Sequence, residues 1–150
     1  MIYGLSDNLL PVARQQIKKA HEDLREKGKR SDYYGFFSKN SEENKIEIIE
    51  VYENYTAAFG MIVNQSGFQS AFAMYNDNKS NSDGERYLIT KLLFKILKTQ
   101  DDIMITEDEY NKCKDAILGG EHNTDNYEDL FKEASIALKR SIRTFDIVKK

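Results

Sequence analysis

The stretch "NQSGFQSAFAMYNDN", residues 64–78, decides how this chain divides into helices. A run of apolar residues at helical spacing stops at Gly67, and a second apolar face begins at once with Phe68, Ala71, Phe72 and Tyr75. Glycine can adopt a positive φ that strains other residues. We therefore predict that Gly67 ends one helix in a tight corner and that Phe68 begins the next helix at a sharp angle.

Helical spacing of apolar residues extends over most of the remaining chain, and no stretch alternates well enough to predict a strand. The first predicted helix has Pro11 in its first turn, and a capping box of Thr106 and Glu109 opens a short helix that stops at Gly119. The other predicted helices run from Ile46 to Gln65, from Phe68 to Tyr75, from Leu88 to Leu97 and from Tyr127 to Val148. The fold class expected is all-α, a compact bundle of about five or six helices.

The length of 150 residues predicts a single helical domain over 1–150. A loop insertion is expected at 31–44, where turn-forming residues alternate with aromatic ones. We expect Tyr33, Tyr34, Phe36 and Phe37 of this insertion to pack onto the bundle or onto a partner.

Composition limits the class of protein further. The chain is 40% hydrophobic and 31% charged with one proline, a composition typical of long, stable helices rather than disorder. The lone Cys113 excludes an internal disulfide, and no apolar run is long enough to span a bilayer. With no export leader in the first residues, we expect a cytoplasmic protein.

Charge is segregated along the chain although the net charge is only −3. Residues 14–30 hold seven basic residues against three acidic ones, whereas residues 101–109 hold acids and no base. The overall charge argues against binding nucleic acid through general basicity, so local basic surfaces matter more.

No catalytic or metal-binding constellation is recognisable in the sequence. His21 and His122 have no second His or Cys at ligand spacing, and zinc needs three or four such ligands. Cys113 lies on the apolar face of its predicted helix, where a buried structural thiol is expected. We therefore expect no enzyme activity, no catalytic residue, no metal and no cofactor.

Basic side chains form stripes along three predicted helices, beside or opposite their apolar faces. Such stripes most often mark a solvated helix face, and they are also compatible with a track of phosphate contacts. The stripes comprise Arg14, Lys18, Arg25 and Lys29; Lys91, Lys95 and Lys98; and Lys132, Lys139, Arg143 and Lys150.

The order of these parts resembles a known family. A basic first helix is followed by "YTAAFGMIVNQSGFQSAFAMY", a Leu-rich helix "YLITKLLFKILK" and a terminal "YEDLFKEASIALKRSIRTF". This arrangement is similar to that of the small helical subunit of type III-B CRISPR effector complexes, the fifth subunit of the Cmr assembly. The chain keeps Ile62, Gly67 and the Ala71-Phe72 pair of the family's corner motif. It has Phe59-Gly60 in place of Leu-Pro and Ser66 in place of asparagine.

The resemblance implies a non-catalytic role in antiviral defence. Members of the family stack along the effector complex, so the implied partners are further copies of this chain, backbone and large polymerase-like subunits, guide RNA and target RNA, with no membrane. The candidate RNA-binding residues are Arg14, Lys18, Arg25, Lys91, Lys95, Arg140 and Arg143. The candidate subunit interface is the acidic group Asp101, Asp102, Glu107, Asp108 and Glu109, and the structural corner is Gly67, Phe68 and Phe72.

Two other interpretations stay open at this point. One is the small subunit of the sister type III-A (Csm) complex, which has the same role on a related bundle. The other is a small acidic helical binding protein of the immunity or antitoxin type, which would have one tight protein partner and no RNA.

Overall fold

The computed structural model describes residues 5–77, 85–99, 107–120 and 127–149. Helices dominate this part of the chain, which confirms the predicted all-α bundle. The α-helices are α1 (Leu5–Lys27), α2 (Glu50–Ser66), α3 (Phe68–Tyr75), α4 (Tyr87–Thr99), α5 (Glu107–Leu118) and α6 (Tyr127–Ile142). A short 3₁₀ helix (Gly28–Arg30) follows α1, and two strands, β1 (Glu47–Ile49) and β2 (Asp146–Val148), complete the described elements.

Helix α6 lies at the centre of the packing, in contact with α1, α2 and α4. Its inward residues Ala134, Leu138 and Ile142 are fully buried, as are Ala13 and Ile17 of α1. Small residues at these contacts let the helix axes approach closely, and the larger ones fill the space between them. The core is therefore built around the last helix of the chain.

Gly67 forms the corner between α2 and α3, where the break in the apolar pattern lies. Its backbone has φ 92° and ψ 157°, a region that is essentially restricted to glycine. The Gly67 N–H donates to the Val63 carbonyl at 2.9 Å and closes α2, while the Gly67 carbonyl accepts from the Ala71 N–H at 3.1 Å and opens α3. One residue thus terminates one helix and starts the next.

The corner directs two aromatic side chains of α3 onto α6. Phe68 and Phe72 are buried, and their ring centroids lie 5.5 Å and 5.6 Å from that of Phe131. Aromatic contacts of this kind add about 0.5–1.5 kcal/mol each beyond the burial of their area. The direction of α3 is therefore linked directly to the central helix.

Helix α5 is joined to the bundle by a polar cluster at the end of α3. The Tyr110 hydroxyl lies 2.9 Å from that of Thr90 in α4 and donates to the side-chain carbonyl of Asn76 at 3.1 Å. The Gln69 amide of α3 also donates to the Leu118 carbonyl at 2.7 Å. In the described part of the chain, every buried side-chain polar atom has a hydrogen-bond partner.

The prediction that the chain has no strand is wrong. β1 and β2 form a parallel two-stranded sheet in which Ile48 pairs with Ile147. Segments of three residues are too short to show the alternation of a strand. The apolar residues from residue 46 onward also fit the spacing of a helix. Consequently α2 begins at Glu50 rather than at residue 46, and α6 ends at Ile142 rather than at residue 148.

The first helix and the aromatic segment also differ in detail from the prediction. α1 begins at Leu5, so Pro11 lies inside the helix rather than in its first turn. In the segment 31–44, Tyr33, Phe36 and Phe37 are buried in the core, whereas Tyr34 keeps 43% of its surface exposed. This segment consists of turns, and it nonetheless supplies part of the hydrophobic core.

Replacing Gly67 with alanine isolates the cost of the corner's backbone. A Cβ on Gly67 would meet no atom within 4 Å, so any destabilisation comes from the strained φ alone. We expect Gly67→Ala to lower the free energy of unfolding by about 1–3 kcal/mol, measured by denaturant unfolding.

Gly60→Ala is the matched control, because Gly60 lies within α2 and its Cβ would make an ordinary contact of 3.9 Å with Ser135 Oγ. We expect this change to stabilise the protein by about 0.5–1 kcal/mol. Equal effects of the two substitutions would contradict the assigned role of Gly67.

Candidate nucleic-acid interface

An open groove of about 280 Å³ runs between α1, the loop before β1 and the turn before β2. Arg14 and Lys18 of α1 line it from one side and Lys45 from another. Arg14 and Lys18 are one helical turn apart, so both project from the same edge of α1. We call this the α1 groove, lined by Arg14, Lys18, Glu43, Asn44, Lys45, Ile46, Thr144, Phe145 and Asp146.

The guanidinium of Arg14 is held in place by an aromatic ring. Its Cζ lies 4.5 Å from the centroid of Phe145, the residue that immediately precedes β2. A cation over an aromatic face is stabilised by the ring quadrupole, while its N–H groups stay available at the edge. Arg14 is therefore a positioned cation rather than a freely moving one.

The groove carries both signs of charge, with three cations and the carboxylates of Glu43 and Asp146. Glu43 pairs with Arg25 at 3.1 Å and so has a cation of its own. Within the described residues, no carboxylate lies within ion-pair distance of Arg14 or Lys18. These two cations are the ones that an external anion would meet.

A hairpin between residues 42 and 45 forms the outer wall of the groove. The backbone groups of Glu42 and Lys45 exchange two hydrogen bonds, at 2.9 Å and 3.0 Å. Beside it lies a second recess of about 350 Å³, lined by Arg25, Ser41, Glu42, Glu43 and Asn44. The basic edge of α1 thus borders two neighbouring recesses.

His21 fastens the segment before this hairpin to α1. Its Nε2 lies 3.0 Å from Ser41 Oγ, which also accepts the N–H of Glu47 at 2.9 Å, and its ring lies edge-on to Phe37 at 5.0 Å. Burial lowers the pKa of His21, and the nearby Arg25 lowers it further, against smaller opposing effects of Glu22 and Glu43. The imidazole is therefore held in its neutral form.

Asp23 makes two polar contacts near the C-terminal end of α1. It accepts a hydrogen bond from Ser31 Oγ at 2.6 Å and pairs with Lys27 at 2.9 Å. Burial acts to raise the pKa of Asp23, but these two partners outweigh it and bring the pKa below the usual value.

The predicted basic stripe of α4 is not an open surface in the structure. The Lys91 side chain is only 11% exposed, and its Nζ lies 2.9 Å from Asp32. Lys95 Nζ lies 3.0 Å from the Tyr33 hydroxyl and 5.3 Å from the ring centroid. The helical spacing could not indicate these neighbours, since they belong to the aromatic segment, which folds against this side of α4.

Arg140 and Arg143 lie near the end of α6. Arg140 makes an exposed ion pair, whereas the carboxylate that Arg143 meets is only 20% exposed. Arg140 contacts Asp7 at 3.0 Å and Arg143 contacts Glu53 at 4.0 Å. Exposed pairs of this kind contribute about 0–1 kcal/mol and exchange readily with solvent. Both arginines remain accessible to a competing anion.

The predicted acidic interface falls largely outside the described residues. Asp101 and Asp102 are not described, and the structure gives only the helical backbone of Glu107, Asp108 and Glu109 at the start of α5. The role of this acidic group stays a prediction.

Lys45 and Phe145 are the groove residues that the sequence did not indicate. Lys45 follows two glutamates in a polar loop, and Phe145 fits the apolar pattern of the predicted terminal helix. The pairing of β1 with β2 brings both to the edge of α1. No local pattern could have indicated this contact between distant parts of the chain.

Other functional features are limited in the part of the chain that the structure describes. It contains no group of three or more His, Cys, Asp or Glu that could hold a metal ion, and none of its helices combines the length and apolar character needed to cross a membrane. Burial raises the pKa of the Cys113 thiol to about 11. No protein-family model, curated protein or solved structure matches the chain.

The buried His21 predicts a specific dependence of stability on pH. Its folded pKa is below the unperturbed value of about 6.5, so below that pH the unfolded chain binds a proton that the folded chain does not. We expect the free energy of unfolding to fall as the pH drops below about 6.5, with a slope of at most about 1.4 kcal/mol per pH unit from this group.

His21→Gln removes the titrating ring and keeps a hydrogen-bonding side chain. The free energy of unfolding of this variant should therefore change less over the same pH range than that of the wild-type protein. His122 is present in both proteins, so the comparison isolates the effect of residue 21. Identical slopes for the two proteins between about pH 7.5 and pH 5.5 would show that His21 is not the group responsible.

Proposed function

We propose that this chain is a non-catalytic small helical subunit of a type III-B CRISPR effector complex. In this role it lies along the guide RNA and target RNA and stabilises them through the cations of the α1 groove. The proposal combines the family resemblance of the sequence with the arrangement of basic residues on the surface.

The backbone geometry at Gly67 gives a physical reason for the glycine that this chain shares with the family. Glycine is required there because φ is 92° with ψ 157°, and the Ala71-Phe72 pair is buried immediately after it. Phe68, where the family has leucine, is a buried apolar side chain and serves the same packing purpose. Of the residues shared with the family, Gly67 and the Ala71-Phe72 pair thus lie at the corner itself.

One observation supports the RNA-binding part of the proposal. Arg14 and Lys18 line the same groove, and neither has a carboxylate partner among the described residues. RNA phosphates carry charge at regular spacing, and cations that contact them position a protein without reading sequence. In a guided complex the target bases are read by pairing with the guide. A subunit of this kind needs only correctly placed cations.

The structure also refines which basic residues are proposed to contact RNA. Arg14 and Lys18 are the primary pair. Lys45 lines another wall of the groove, but its Nζ lies 3.9 Å from a carboxylate oxygen of Glu47, so it is a secondary candidate. Arg25, Arg140 and Arg143 are also secondary candidates, because each has a carboxylate partner that a phosphate must displace. Lys91 and Lys95 contact Asp32 and Tyr33, so we assign them to the packing of the aromatic segment.

Reversing the charge of the primary pair tests this proposal. In the assembled complex, Arg14→Glu with Lys18→Glu should weaken target RNA binding and reduce the slope of log affinity against log salt by about 2, since two phosphate contacts are lost. Binding is measured with labelled target RNA over a series of salt concentrations.

The control is the double variant Lys19→Glu with Lys112→Glu. Both lysines are exposed and lie outside the α1 groove, and this double substitution changes the net charge by the same amount as the first one. Assembly of the complex should be intact in both double variants. If the two pairs weaken RNA binding equally, the effect is one of overall charge and the α1 groove has no special part.

A further inference from the structure

The structure contains a second surface with the opposite property, the absence of charge. Residues 54–76 include no Asp, Glu, Lys, Arg or His, in a chain of which 31% is charged. This stretch forms most of α2 and all of α3. A helix face that only meets water normally carries charged side chains, so an uncharged stretch of this length needs a reason.

The outward side of this stretch is exposed and includes large apolar residues. Met61 keeps 61% of its surface exposed and Met74 keeps 43%. With Tyr34, they are the exposed large hydrophobic residues of the described chain. We define the neutral face as the exposed residues Asn54, Met61, Asn64, Gln65, Ser66, Gln69, Ser70, Ala73 and Met74.

The chemistry of this face indicates a protein partner. It offers no cation to a phosphate, so it lacks the electrostatic attraction on which binding of nucleic acid mainly depends. Depletion of charge and the presence of exposed methionines are two features of the composition of protein interfaces. Methionine side chains also adapt to the shape of the surface they meet.

We propose that the neutral face pairs with the same face of a second copy of this chain about a two-fold axis. A two-fold contact brings each patch against itself, so a patch dominated by one sign of charge would repel its copy. Asn, Gln and Ser side chains each carry donors and acceptors, and a neutral amide surface is therefore complementary to itself. A charged partner would instead bury its charges against groups that cannot neutralise them.

The size of the neutral face limits how tightly two copies of the chain can associate. Helix α2 has 17 residues and is about 25 Å long, and α3 adds two further turns. A strip of this length and about 10 Å width is smaller than the roughly 800 Å² per partner of a standard stable interface. The dimer should therefore be reversible, with a dissociation constant between micromolar and millimolar.

Charge substitutions at Met61, the most exposed large hydrophobic residue of the neutral face, test the proposal on the purified chain without RNA. Sedimentation equilibrium should show a reversible wild-type dimer. Met61→Lys and Met61→Glu should each weaken it at least about tenfold, because like charges then face each other across the axis. An equimolar mixture of the two variants should regain wild-type association, since opposite charges then meet.

Tyr34→Lys is the matched control, because Tyr34 is an exposed large apolar residue outside the neutral face, and it should leave the dimer unchanged. Thermal unfolding checks that each variant is folded. A wild-type chain that stays monomeric up to about 1 mM would overturn the proposal. Single variants that associate normally, or that are not restored by mixing, would overturn it too.

If Met61→Lys releases a different protein from the native assembly while self-association is unchanged, the face belongs to that protein and the proposal is wrong. The inference does not rest on the RNA-related role. A monomeric result would leave the α1 groove proposal intact, and failure of the RNA test would leave the dimer intact.

Discussion

The turn at Gly67 is the constraint on which the rest of this structure depends. With φ at 92° and ψ at 157°, the residue satisfies a backbone hydrogen bond at the end of α2 and another at the start of α3. The resulting direction of α3 brings Phe68 and Phe72 against Phe131 of the central helix α6. Because α1, α2 and α4 all pack on α6, this contact connects the corner to the whole core. A side chain at residue 67 would strain the backbone rather than clash with a neighbour.

The same architecture separates two kinds of surface. Parallel pairing of β1 with β2 brings Lys45 and Phe145 to the edge of α1, where Phe145 holds the guanidinium of Arg14. The contact between the buried His21 ring and the half-buried Ser41 hydroxyl keeps the segment before the 42–45 hairpin against α1. Three basic residues thus line one groove, while α2 and α3 contain none. This division is compatible with the two proposals, because a basic surface and a neutral surface favour different partners.

The sequence predicted the features that depend on local pattern. The corner and the limits of α3 follow from one glycine and a shift in apolar spacing, both visible within residues 64–75. The small sheet could not be predicted, because pairing between residues 47–49 and 146–148 leaves no local signal in three-residue segments. The groove depends on that pairing, so Arg14 and Lys18 were recognised as cations while Lys45 and Phe145 were missed. For Lys91, the spacing indicated a stripe, but the neighbouring Asp32 comes from a distant segment.

Purification of the tagged chain from its native host tests the central claim most directly, with copurified proteins identified by mass spectrometry and copurified RNA sequenced. The proposed function predicts repeat-derived guide RNA together with several larger RNA-binding subunits. The identity of the large and backbone subunits distinguishes the type III-B complex from the type III-A complex. Recovery of a single tightly bound protein without RNA would contradict the proposed function and favour a binding protein of the immunity or antitoxin type.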